Sequence, residues 1–190
     1  MAERDLEIDR SRTAIVVIDL QKGITRREGK PYPVPLVVSN ASRLVKAFRS
    51  GGMPVFLVHV EFSGGVPLRP IADTVMSGTQ PAPDWAEFVP DLEVSTTDIL
   101  ITKRQWGAFY GTDLEQQLCR RHVETIVLCG IATTYGVEST ARFAYEFGFN
   151  QIFPEDAMTD MSEEAHRVSV EYVLKRIGRV RSTEEILKVL

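Results

Sequence analysis

The chain has only two cysteines among its 190 residues, Cys119 and Cys129, and three histidines, His59, His122 and His166. Two thiols give neither the density of a disulfide scaffold nor the spacing of a metal-ligand set. The histidines are scattered, with no His-x-His or His-Glu-x-x-His grouping, so neither a metal nor another cofactor is expected. Basic tracts are missing too. The net charge is -4, and Arg26-Arg27 and Arg120-Arg121 are short pairs, which argues against nucleic acid as a partner. The longest apolar runs are strand-sized, far short of a bilayer span, and the charged start Met1-Ala2-Glu3-Arg4-Asp5 leads into no signal core. A cytoplasmic protein with a small-molecule substrate and no membrane contact is therefore expected.

What is present is an alternation of short β-branched runs with amphipathic stretches. Thr13–Ile18 and Pro54–Val60 have the composition of strands covered on both faces, and Leu36–Arg49 between them has helical spacing that stops at Gly51-Gly52. The pattern repeats as strand Asp98–Ile101, helix Thr112–His122, strand Thr125–Leu128, helix Thr134–Phe147, strand Gln151–Phe153, helix Ser162–Lys175 and strand Arg179–Arg181. Thr112 with Glu115 and Ser182 with Glu185 have capping-box spacing. These elements predict an α/β fold, a largely parallel sheet with helices on both faces, in one domain spanning 1–190. The Gly- and Pro-rich stretch from Glu61 to Pro90 is expected to be an irregular lid or binding loop.

Such sheets bind ligands at the carboxyl ends of their strands. Asp19 directly follows the first strand, where it acts chemically or caps a turn. Lys103 follows the strand Asp98–Ile101 and reaches the same edge, where it pairs with Asp19 or is merely solvated. The turn Gly130–Gly136 joins a strand to a helix. Its backbone donors favour an anion or a developing oxyanion, unless its glycines only relieve a tight turn. Three separate strand assignments bring these candidates to one place. Cys129 ends an apolar run and is expected in packing. His59 reads as a structural histidine.

The segments Ile18-Asp19-Leu20-Gln21, Thr102 to Leu114, Cys129 to Arg142, Glu155-Asp156-Ala157 and Arg179 to Leu187 together resemble the isochorismatase-like hydrolase family. The resemblance covers nearly the whole chain, from about Thr13 to Leu190. It implies a Rossmann-like three-layer sandwich with a mostly parallel, six-stranded sheet and no dinucleotide site, in keeping with the missing Gly-x-Gly-x-x-Gly turn, and a homodimer or homotetramer. In the family's cysteine branch an aspartate, a lysine and a cysteine form a triad, which maps here onto Asp19, Lys103 and Gly136. That branch also implies a cis Ile131-Ala132 bond and an oxyanion hole from the amides of Ala132 and Gly136.

Glycine forms no acyl-thioester, so the covalent route is closed at position 136. True isochorismatases are similar in fold, likewise place glycine there, and cleave an enol ether to pyruvate and a dihydrodiol. The turn Ala132-Thr133-Thr134-Tyr135-Gly136-Val137 nonetheless resembles the cysteine branch more closely, and Trp106-Gly107 stands where many relatives have Tyr-Ser. The chain is thus expected in a Gly-variant subgroup that hydrolyses a small carboxylated substrate without a covalent intermediate. An amidase that activates water and a non-catalytic binding relative are the alternatives. No Asp-x-His metal grouping of the nicotinamidase kind follows His59. Gln21 is expected to orient Asp19 and to line the substrate site with Trp106, Phe109 and Tyr135, although core packing or a subunit contact is the more ordinary role for these aromatics and the favoured one for Phe109.

Overall fold

The computed structural model describes residues 6–62, 68, 70–74 and 82–190. Its sheet consists of β1 (Thr13–Ile18), β2 (Val55–Val60), β3 (Ile99–Lys103), β4 (Thr125–Ile131), β5 (Asn150–Pro154), β6 (Met158–Thr159) and β7 (Arg179–Arg181). The order is β3-β2-β1-β4-β5-β7, with β6 pairing with β4 beyond the end of β5, and every pairing is parallel. The expected six strands form the continuous ladder. The seventh, β6, is two residues long, too short to show a periodicity.

All six side chains of β1 are buried, as are the last six residues of β4, because the two central strands are covered on both faces. The longest helix, α2 (Val34–Ser50), starts with proline in its first turn and ends at Gly51. It packs Val37, Val38, Ala41, Leu44, Val45 and Phe48 into the core. Helices α3 (Leu114–Arg120), α4 (Glu138–Glu146), α5 (Glu163–Val168), α6 (Lys175–Ile177) and α7 (Thr183–Leu187) complete the layers, after a four-residue α1 (Lys22–Thr25) that follows β1.

Two of the expected helices are interrupted. Thr133–Val137 is a π-helical turn ahead of α4, and Ser169–Leu174 is another between α5 and α6. The capping box forms at Ser182, whose hydroxyl accepts from the Glu185 amide while the Glu185 carboxylate accepts from the Ser182 amide. It does not form at Thr112. There the hydroxyl donates to the Ala108 carbonyl at 2.5 Å, and Asp113 precedes the helix without capping it by its side chain.

Much of the stretch expected as a lid, 63–67, 69 and 75–81, lies outside the described residues. Its last part is docked. The amides of Lys22 and Gly23 donate to Glu87 and Trp85 carbonyls, Gln21 bridges Phe88, and Leu92 is buried. Among the described residues no helix is long and apolar enough to cross a membrane, and no three His, Cys, Asp or Glu side chains are grouped to hold a metal.

Candidate active site

The register of the central strands brings Asp19, Lys103 and Gly136 together. Ile18 is opposite Val58 on one side and Gly130 on the other, and Val60 is opposite Lys103. The carboxyl ends of β1, β3 and β4 thus meet at one edge. Asp19 leaves β1 with φ 53°, in the left-handed region, which aspartate tolerates better than most residues. Its amide donates to Val58 O at 2.8 Å, and its carbonyl accepts from the Gln21 amide at 2.8 Å. An uncommon backbone conformation at a strand end is a frequent mark of a functional position.

The side chains of Asp19 and Lys103 are 5% and 2% exposed as residues, and they pair with Oδ2 and Nζ 2.8 Å apart. Lys103 Nζ also donates to the Trp106 carbonyl at 2.7 Å. Burial pushes the Asp19 carboxyl above the usual carboxylate range, while the Lys103 charge and hydrogen bond pull in the opposite direction. Its second oxygen, Oδ1, is sealed from solvent and has no hydrogen-bond partner among the described residues. A buried polar atom left unpaired is rare enough to call for a functional reading.

Gly136 faces this pair. A Cβ built on it would lie 3.2 Å from Asp19 Oδ2, 3.3 Å from Lys103 Nζ and 2.7 Å from Ile18 Cγ2. Position 136 therefore abuts both charged groups and carries no side chain. Gly130, with φ 118°, permits the approach, since a Cβ there would collide with the Ile18 backbone. The Ile131-Ala132 bond that follows is cis.

The turn is held from both sides. The Gly136 carbonyl accepts from Thr140 Oγ1 at 2.6 Å, and that hydroxyl oxygen accepts from the Ala108 amide at 3.0 Å, tying the turn to the segment after β3. On the other side Asp160 Oδ2 accepts from the Thr134 amide and hydroxyl, both at 2.7 Å, and Oδ1 accepts from the Met161 amide. His166 is buried and places Nδ1 2.8 Å from Thr133 Oγ1.

Asp160 and His166 were not legible as site residues, since they lie far along the chain from the turn and no local spacing links them to it. We expect Asp160→Ala to cost about 1–3 kcal/mol, because it strands the turn's donors. Asp160→Asn, which keeps an acceptor, should cost less. Urea midpoints would measure both, and an alanine variant as stable as the parent would remove this role.

Two expected substrate contacts need correction. Gln21 is fully buried, and its side chain does not reach Asp19. Its Nε2 donates to Val60 O and Trp85 O, and its Oε1 accepts from the Val60 amide. The amide is committed to clamping β2 and the Trp85 segment together. Phe109 is buried against Phe147 and Phe149, so it belongs to the core.

Trp106 and Tyr135 are 57% and 37% exposed and meet edge to face, with centroids 4.8 Å apart. Trp106 lies on the segment that accepts from Lys103, and Tyr135 precedes Gly136. His59 is held by the Ala86 carbonyl and Thr102 Oγ1 and stacks on Phe88. Cys129 lies within β4, fully buried, and burial drives its thiol up to about 12, which leaves it inert.

The molecule is thus a Rossmann-like parallel α/β sandwich with a buried carboxylate-ammonium pair at the carboxyl edge of its sheet. Residues 13–185 match the isochorismatase domain. The isochorismatase family protein YwoC of Bacillus subtilis is 49% identical over 187 residues, covering 96% of each chain. The phenazine biosynthesis protein PhzD of Pseudomonas fluorescens is 30% identical over 95% of this chain and 87% of its own length. An isochorismatase family protein from Burkholderia thailandensis superposes with a TM-score of 0.92 at 38% identity, over 97% of both chains. The chain belongs to the isochorismatase family and is a hydrolase.

Proposed function

We propose that this hydrolase cleaves the enol ether of a small carboxylated substrate such as isochorismate, without a covalent enzyme intermediate. The observation that carries this reading is the glycine facing the buried ion pair, because that position supplies no nucleophile for a covalent route. On this reading the chain belongs to a Gly-variant subgroup of its family.

In the proposed reaction Asp19 gives its proton to the methylene carbon of the enol ether. The double bond's electron pair forms the new C–H bond, and the ether oxygen shares the positive charge as an oxocarbenium ion. The carboxylate formed on Asp19 lies beside Lys103 Nζ, which stabilises it as charge develops. Water then adds to the cation and returns a proton to Asp19. Collapse of the hemiketal breaks the C–O bond and releases pyruvate and the ring diol. Burial favours the protonated acid and the lysine favours its anion, so the two opposing influences serve successive stages of one step.

The amides of Ala132 and Gly136 serve as oxyanion donors in this reading, and Trp106 with Tyr135 forms an aromatic rim for the planar ring. The test is pyruvate release from isochorismate by the purified protein in a coupled assay. We expect turnover well above the spontaneous rate. A rate equal to the buffer control would remove isochorismate as the substrate.

A further inference from the structure

A cavity of about 630 Å³ lies away from the ion pair, beyond the carboxyl end of β5 and along the edge strand β7. Its wall brings the unpartnered donors of Arg179 and Tyr32 together with acceptors most of which are already engaged. Arg179 and Arg181 are two apart on β7, so their side chains share a face, and both line the cavity. The Arg179 guanidinium, half-buried, makes no hydrogen bond or ion pair among the described residues. The Tyr32 hydroxyl on the same wall also has none.

Two of the three acids around them are engaged. Asp156 accepts from the Thr183 amide and hydroxyl through Oδ1 and from Asn40 through Oδ2. Glu185 is spent on the capping box. Glu155 lies 3.7 Å from His166 Nε2. Of the cations, Lys175 is neutralised by Glu171 at 2.6 Å. Burial, and after it the neighbouring Arg181 charge, works against holding Arg179 charged, a cost that an incoming anion relieves.

We propose that this cavity is a second ligand site that takes a small oxyanion, a carboxylate or a phosphate group, on the Arg179 fork and the Tyr32 hydroxyl. The guanidinium presents paired N–H donors that match two oxygens of either group. Glu155 on the same wall favours a ligand of low total charge. Neither Arg179 nor Tyr32 touches the Asp19–Lys103 site, so the proposal is independent of the enol-ether reading.

The experiment titrates the full chain with inorganic phosphate and, separately, with succinate, at constant ionic strength, following amide resonances of β7 by NMR. Saturable shifts are expected with at least one probe. Saturation by phosphate alone identifies a phosphate site, and by succinate alone a carboxylate site. Arg179→Gln should weaken that binding by about tenfold or more, with Arg179→Lys intermediate because it keeps the charge and loses the fork. Tyr32→Phe, which leaves β7 untouched, should weaken it severalfold and gives the same reading if the arginine variant folds poorly. Linear shifts with both probes, or unchanged affinity in Arg179→Gln and Tyr32→Phe, would overturn the site.

Discussion

Asp19→Asn is expected to lower kcat/KM by about 10²–10⁴-fold, the usual contribution of a positioned general acid. Asparagine occupies the same volume and leaves the Lys103 bond to the Trp106 carbonyl available, but it has no proton to give. The pH profile then decides which form of Asp19 works. Burial raises its pKa above the ordinary carboxylate range. An acid must start protonated, so kcat/KM should be flat at low pH and fall as pH rises through that raised value. If Asp19 instead acts as a base that activates water on an amide, the slope reverses, and activity falls as pH drops through the same value. Activity of Asp19→Asn within about tenfold of the parent would sink both roles.

Much of this site was legible because strand ends are. Thr13–Ile18 is apolar after its first residue and buried on both faces, so its limits in sequence and structure coincide, and the residue after it had to stand at the sheet edge. Lys103 was harder. The apolar run stops at Ile101, but pairing continues to Lys103, opposite Val60, and the lysine is buried because Asp19 and the Trp106 carbonyl satisfy its charge. Hydrophobicity alone ends a strand too early where a polar residue has buried partners.

The same blind spot explains Gln21, whose amide bonds to residues 39 and 64 positions away. It also explains Asp160, which grips the turn from 26 positions beyond. Local spacing found the Ser182 box but credited Thr112 with another. There the hydroxyl turned back to Ala108, a contact that only the folded segment after β3 provides. The π-helical turn likewise has no signature apart from Gly136. Helical periodicity through Thr134–Phe147 hid the wider first turn that presents Gly136 to the ion pair.

Lys103→Met carries the largest expected effect on stability. Methionine fills the space of the aliphatic stem, so packing survives, but Asp19 is left buried beside no cation and the Trp106 carbonyl loses its donor. Breaking a buried ion pair from one side typically costs about 3–5 kcal/mol. The sign of its pH dependence follows from linkage. Asp19 has a folded-state pKa above its unfolded value, so its contribution to stability is full below the unfolded pKa and is lost as pH rises through the folded one.

Removing Lys103 deletes the influence that opposes burial, which lifts the folded pKa further and widens that window. The variant should therefore lose more stability relative to the parent at about pH 8 than at about pH 5. Adding Asp19→Asn to Lys103→Met should recover much of the loss, since no charge then remains to be desolvated. Urea unfolding of the parent, both single variants and the double at the two pH values measures the coupling. A Lys103→Met loss that is independent of pH and undiminished in the double variant would show that the lysine acts by packing its stem, and that the ion pair contributes nothing.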